Sequence, residues 1–237
     1  GMHRLGFEPE EIPAMIRFLE QNTALKPRSI FSHLASAEDV NDDAFTRQQI
    51  ATFREASGAI KKAFPDVWMH LLNSPGIARW SKEAAFDMVR LGIGLYGIDP
   101  TQTISEKLLP ASQLISSISQ IKHLKPGDGV SYNRRFVADK NMHIATIPIG
   151  YADGLNRKLG YGNGAFIIQG KKAPILGTIC MDMTMVDITG IECREGDEVI
   201  IFGEGARVTD MAAQAGTISY EILSTLSQRV TRVYVQE

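Results

Sequence analysis

Residues 86–100, FDMVRLGIGLYGIDP, decide how the rest of the chain is read. Met88, Val89 and Leu91 predict a buried strand over 86–91, and that strand carries one cation, Arg90, into a glycine-spaced turn, Gly92-Ile93-Gly94. A guanidinium at the end of a buried strand is costly unless an anion or hydrogen-bonding groups meet it. Glycines directly after a strand let backbone N–H groups close around a phosphate. A fixed cation beside such a cradle points to a phosphorylated cofactor. The plain alternative is a strand end whose arginine pairs with a structural carboxylate.

Outward from this stretch, the residues before it alternate helical and strand patterns. Residues 9–22 repeat apolar positions at helical spacing (Ile12, Met15, Ile16, Leu19), and 29–34 (SIFSHL) predict a short buried strand. Residues 42–64 predict a long amphipathic helix opened by Asn41-Asp42-Asp43, 67–72 another strand, and 76–80 a short helix. Strand–helix–strand units of this length imply a parallel α/β layout, with polar residues gathered at the strand C-termini. From about residue 112 short alternating segments take over, at 114–123, 143–148, 165–169, 171–179, 184–188, 198–202 and 230–236. Turn residues such as Pro126-Gly127-Asp128-Gly129 separate them, and helices are expected near 210–216 and 219–228. The expected architecture is α/β plus all-β, with residues 1–107 in the first domain and 108–237 in the second.

Composition narrows the class. The 237 residues are 44% hydrophobic and 22% charged, which suits a globular protein with a real core. A net charge of −2 with no basic stripe argues against a nucleic-acid or anionic-membrane partner. No apolar run approaches the ~18 residues of a spanning helix, and no signal peptide opens the chain. Cys180 and Cys193 form neither a disulfide framework nor a metal-ligand spacing, so no metal is expected and a reducing cytoplasm is. About three β/α units are too few to close an eight-stranded barrel. The opening GMHRLGF looks like the tail of a strand, so the chain reads as a portion of a larger fold.

Three successive predicted strands end in polar side chains suited to holding a cofactor: His33 in FSHLASAED, Asn73-Ser74 in HLLNSPGIARW, and Arg90. Singly, His33 also fits a satisfied core histidine and Ser74 a helix N-cap before Pro75. In the β region, Tyr132 follows the turn at Pro126–Gly129, Tyr151 and Asp153 sit in the glycine-flanked IPIGYADGL, and Cys180-Met181-Asp182 mark a strand turn. Each tyrosine taken alone is more often a packing residue than a base.

GMHRLGF, FSHLASAED, NSPGIARW, DMVRLGIGLYGIDP, GVSYN, IPIGYADGLNR, ILGTICMDMTMVD and TISYEILSTLSQRV together resemble the alanine racemase family in order and spacing, over essentially the whole chain. The resemblance implies a pyridoxal 5'-phosphate fold: a partial (β/α)8 barrel, made of its last β/α units, followed by a C-terminal β-barrel-like domain. It implies a homodimer whose active site is shared across subunits, acting on a small amino acid. By resemblance, Arg90 faces the pyridine nitrogen, His33 hydrogen-bonds Arg90, and Ser74, the Gly92 and Ile93 backbone and Tyr220 bind the phosphate. Arg4 reaches the phenolic oxygen side and the substrate carboxylate. Tyr132 is the catalytic acid/base from the partner subunit, and Met181, Asp182 and Tyr151 shape the substrate pocket and its entrance.

The resemblance covers the C-terminal portion of a family member. None of the eleven lysines lies in a motif matching the family's Schiff-base lysine, and Thr231 stands where the family's RVP element has proline. The expectation is a portion of an alanine racemase, the parent interconverting L- and D-alanine for peptidoglycan and these residues alone inactive. An arginine at the ring nitrogen holds its proton and weakens the electron sink, which fits racemisation better than transamination. Two alternatives stand beside it: a racemase of serine, lysine or another amino acid, and a non-catalytic assembly module of a larger fused cell-wall protein.

Overall fold

In the computed structural model, which describes residues 1–235, the chain forms two units, Gly1–Ala111 and Ser112–Glu237. The first runs α1 (Ile12–Gln21), β1 (Ser29–Phe31), α2 (Asp43–Ala63), β2 (Trp68–His70) and α3 (Ser74–Ala84). Strands β1 and β2 are parallel, with Ile30 opposite Met69. Helix α2 begins where Asp39 and Asp42–Asp43 crowd acid at its start and ends in Lys61-Lys62, the polarity its dipole favours. One face of it buries Thr46, Gln49, Ile50, Phe53, Ser57 and Ile60, at the three- and four-residue steps of a helix. Ile50 and Phe53 join Leu34, Leu71, Leu72 and Trp80 in the core of this unit. Helix α3 is capped by Asn73, whose Oδ1 accepts from Gly76 N at 3.0 Å, with Pro75 in the first turn. Ser74 is therefore not the cap that its place before Pro75 suggests.

The strand expected over 86–91 shrinks to a single parallel bridge, Met88 to His70. Asp87 N still reaches Met69 O at 3.1 Å and Arg90 N reaches Leu72 O at 2.9 Å. The carbonyls of His70 and Leu71 instead accept from the Arg90 guanidinium. A side chain takes up carbonyls at the C-terminal end of β2, beside the segment that would have extended the sheet.

The second unit holds two antiparallel sheets around one core. One has the order β10 (Thr184–Asp187), β7 (Met142–Ile147), β4 (Gln120–Leu124); the other has β3 (Leu114–Ser117), β11 (Glu198–Phe202), β8 (Ala165–Ile168), β9 (Lys171–Pro174). A short ribbon pairs β5 (Gly129–Val130) with β6 (Phe136–Val137). Ala145, Ile147 and Val186 of the first sheet share a buried cluster with Phe166, Ile168, Val199 and Ile201 of the second, which holds the two faces together. Helices α4 (Val208–Ala215) and α5 (Ser219–Ser224) add Met211, Ala212 and Ile222 to it. The strand expected over 230–236 is not formed: residues 230–235 pair with no strand among the described residues, and Gln236 lies outside them. Val233, Tyr234 and Val235 are all exposed, so period-2 apolarity there has no face to bury. No helix of the described residues is long and apolar enough to cross a membrane.

Candidate active site

Arg90 gathers the ends of β1 and β2. Its Nη1 meets His70 Nδ1 at 2.6 Å and donates to His70 O at 3.2 Å. Its Nη2 donates to Ser32 O at 2.6 Å and Leu71 O at 3.1 Å, and lies 3.4 Å from His33 Nδ1. The guanidinium also stands over Phe31, on whose ring His70 stacks at 5.2 Å. No carboxylate joins this set among the described residues, so the structural ion pair that Arg90 could have made is not what holds it. With both Nη atoms committed, Nε–H is the donor left to face a ligand. His70, 5% exposed, is the closer of the two histidines and was not singled out from sequence. It lies inside the strand expected over 67–72, where its only local mark is being a polar residue four positions before Ser74.

Both histidines are held neutral. Burial, then the Arg90 cation, lowers the His70 pKa; burial, Arg90 and Arg4 lower that of His33 against a smaller opposing effect of Glu38. His33 has a donor on each side, since Asn73 Nδ2 lies 3.4 Å from its Nε2 while Asn73 Oδ1 is taken by Gly76 N. An imidazolium would point both N–H groups at donors. A histidine depressed on folding is protonated first in the unfolded chain, so its stabilisation is full above the ordinary value of 6.5 and is lost as pH falls below it. The urea midpoint of the first unit is therefore expected to fall between about pH 7.5 and about pH 5.5, and His70→Asn to flatten that fall. A midpoint unchanged or rising over this interval would contradict it. Asp87 titrates in another window, because hydrogen bonds from Lys61 and Met69 N hold its pKa below 3.8.

Ser74 closes the other half of the site. Its Oγ accepts from Gly92 N at 2.9 Å and Gly94 N at 3.2 Å, so the glycine turn and the start of α3 converge on one hydroxyl. That leaves the hydroxyl hydrogen as a donor. A Cβ on Gly92 would stand 3.8 Å from Ser74 Oγ, within the cradle itself. Buried Ile93 opens a 3-10 turn, Ile93–Tyr96, whose first N–H groups have no partner within the turn. Arg4 lies exposed and acts on His33 through its charge.

In the second unit, the loop after β7 and the turn before β10 are built as one piece. Tyr151 N donates to Cys180 O at 3.0 Å and Ala152 N to Met181 O at 2.8 Å. Asp153, 9% exposed, accepts from Gly150 N at 2.9 Å and stands 3.5 Å from Arg229 Nε. Tyr151, Met181 and Asp182 are thereby presented together, all exposed. A cavity of about 290 Å³ opens beside Tyr151 and is also lined by Arg157, Glu221 and Thr225, adjoining the helix that carries Tyr220. Tyr220 is 43% exposed. Tyr132 is 66% exposed on a turn where Ser131 (φ 66°), Asn133 (φ 55°) and Arg134 (φ 49°) all adopt left-handed backbone. The structure thus brings Arg90, His33, Ser74, Gly92 and Ile93 together in one unit. Tyr132, Tyr151, Met181, Asp182 and Tyr220 lie in the other. No group of three His, Cys, Asp or Glu among the described residues is placed to hold a metal.

A family model described as the alanine racemase N-terminal domain matches residues 1–100, and one described as the alanine racemase C-terminal domain matches 111–234. The alanine racemase of Halothermothrix orenii is 37% identical over 99% of this chain, and that of Geobacter sulfurreducens 38% over 99%. The chain spans 63% and 64% of their lengths. Among solved structures, the alanine racemase of D-cycloserine producing Streptomyces lavendulae superposes with a TM-score of 0.92 at 30% identity, over 100% of this chain and 64% of that one. The Bartonella henselae alanine racemase, solved with covalently bound pyridoxal phosphate, gives 0.87 at 32% identity, over 99% of this chain and 64% of its own.

Proposed function

Given that the chain belongs to the alanine racemase family, we propose that it is the portion of an L-/D-alanine racemase that grips pyridoxal phosphate at its ring nitrogen and phosphate and supplies one acid–base group. Its fold is the alanine racemase fold, a barrel followed by a β domain, and residues 1–107 supply the last β/α units of that barrel. The observation that carries the reading is the pairing, within one unit, of a carboxylate-free Arg90 with the hydroxyl and amide cradle of Ser74, Gly92 and Gly94. The donor set suits the group: with Gly92 N and Gly94 N spent on Ser74 Oγ, the Ser74 O–H and the Ile93 N–H are the donors for a phosphate, and the guanidinium has Nε–H to spare for a ring nitrogen.

When bound, the cofactor supplies an electron sink that acidifies the Cα–H of an amino acid. This chain's own residues would hold that group and supply the proton transfer on one of the two faces. Arg90 hydrogen-bonds the ring nitrogen without surrendering a proton, because a guanidinium keeps its charge. Its orientation is fixed by His70, Ser32 O and Leu71 O, and His33 lies against it as a neutral ring. Ser74, Gly92, Ile93 and Tyr220 hold the phosphate, and Arg4 faces the phenolic oxygen and the substrate carboxylate. Tyr132, reaching in from a partner subunit of a homodimer, moves a proton on one face of the substrate Cα. Tyr151, Met181 and Asp182 line the approach and limit substrate size. The product is D-alanine for peptidoglycan, made in the cytoplasm.

None of the eleven lysines carries the cofactor, and these 237 residues alone do not racemise alanine. Lys61 is engaged with Asp87 and Lys171 with Gly190 O, and no lysine enters the Arg90 or Ser74 hydrogen-bond sets. Pyridoxal phosphate titrated into the chain is expected to bind saturably, about tenfold or more weakly to Ser74→Ala, with no borohydride-fixed mass on a single lysine. A mapped lysine adduct would overturn the claim of inactivity. Unchanged affinity in Ser74→Ala would overturn the cradle.

A further inference from the structure

The β4–β7 ladder of the second unit carries a histidine pair that has no part in the site above. His123 of β4 stands directly opposite His143 of β7. Their ring centroids are 4.3 Å apart with planes at 90°, and both residues are exposed.

The backbone makes this a close pair. His143 N donates to Thr189 Oγ1 at 3.0 Å and His143 O accepts from Ile188 N at 2.9 Å, so both of its main-chain groups point to the β10 side. Two positions along β4, Ile121 N donates to Glu195 Oε1 at 3.1 Å, away from β7. Neither position therefore spends its main-chain groups on the β4–β7 ladder. Opposed residues of that kind have Cα atoms only ~4.5 Å apart and the nearest side-chain approach a sheet offers.

We propose that His123 and His143 form a two-histidine clamp for a divalent late first-row cation, Cu²⁺ or Ni²⁺ by preference, with water completing its coordination. Imidazole is a ligand of choice for these ions, which favour tetragonal sites with neighbouring ligands at right angles. With metal–nitrogen distances of ~2.0–2.1 Å, two such cis imidazoles have ring centres roughly 4–5 Å apart, the spacing already present. Both rings are exposed, so their side-chain torsions are free to turn one nitrogen of each toward a common ion. No third His, Cys, Asp or Glu among the described residues completes the set, which makes the site open and exchangeable. A bound ion would tie β4, at the edge of its sheet, to the central strand β7 and stabilise the unit by mass action.

The test is a Ni²⁺ titration of the full chain carrying His3→Ala, which removes a competing imidazole near the first residue. The expected result is saturable binding in which the His123 and His143 ring resonances broaden at the same Ni²⁺ concentration and the melting temperature rises. His123→Asn and His143→Asn should each weaken binding about tenfold or more, Cu²⁺ should bind more tightly than Ni²⁺, and Mg²⁺ should not compete. Broadening of the two rings at different concentrations, or undiminished affinity in either variant, would overturn the clamp. So would the absence of saturable binding.

Discussion

Arg90→Lys is expected to destabilise the first unit by about 2–4 kcal/mol and to abolish its pyridoxal phosphate binding. Lysine keeps the charge but brings one ammonium where the guanidinium spreads its donors over the ends of two strands. Ser32 O lies after β1, and His70 O and Leu71 O lie at and after the last residue of β2. One Nζ cannot satisfy all three carbonyls as well as His70 Nδ1. Each part-buried acceptor left without a donor costs about 1–3 kcal/mol before water relieves it. Urea unfolding followed in the first unit checks this. A loss below about 1 kcal/mol would mean that the cluster is a consequence of the fold rather than one of its supports.

Gly150→Ala should be strongly damaging to the second unit. Its φ of −147° is ordinary, so the objection is space rather than conformation. A Cβ there would lie 2.4 Å from Cys180 O and 2.4 Å from Met181 C and O, and main-chain atoms cannot turn aside as a flexible side chain can. The two segments would have to part, breaking the Tyr151 N to Cys180 O and Ala152 N to Met181 O bonds that present Tyr151, Met181 and Asp182 together. The expected loss exceeds about 2 kcal/mol, read by thermal or urea unfolding. Gly58→Ala is the control of opposite sign, because Gly58 lies within α2 with nothing within 4 Å of its Cβ. It should stabilise by about 0.5–1 kcal/mol. A Gly150→Ala protein as stable as the parent would refute the packing argument.

Local patterns were readable where a local cause suffices. Strand β11, Glu198–Phe202, occupies the stretch its alternation marks, and α2 follows from an acidic start and a helical apolar step. Patterns failed where pairing is decided at a distance. Residues 86–91 and 230–235 have the composition of strands, but one segment runs beside carbonyls committed to a guanidinium and the other has no partner strand among the described residues. The cap of α3 differs for another reason: Ser74 before Pro75 is the cap the sequence suggests, but asparagine caps as well as serine, and Gly76 N donates to Asn73 Oδ1. The gathering of Arg90, Ser74 and the glycine turn could be anticipated from strand ends. His70 could not, since alternation along a strand assigns a residue to a face and says nothing of which cation waits on that face.

The turn that displays Tyr132 has a consequence for how this molecule tolerates change. Three non-glycine residues within four positions hold left-handed backbone there, Ser131 in a region that glycine alone occupies freely, at a cost of roughly 1–3 kcal/mol each. A screen that rewarded heat resistance and ignored chemistry would find easy gains in this turn, through glycine at Ser131 or Asn133. The improved proteins would be those in which the tyrosine is no longer held out. Stabilised sequences drawn from such a screen would thus record, by what they discard, where the chain holds its backbone under tension.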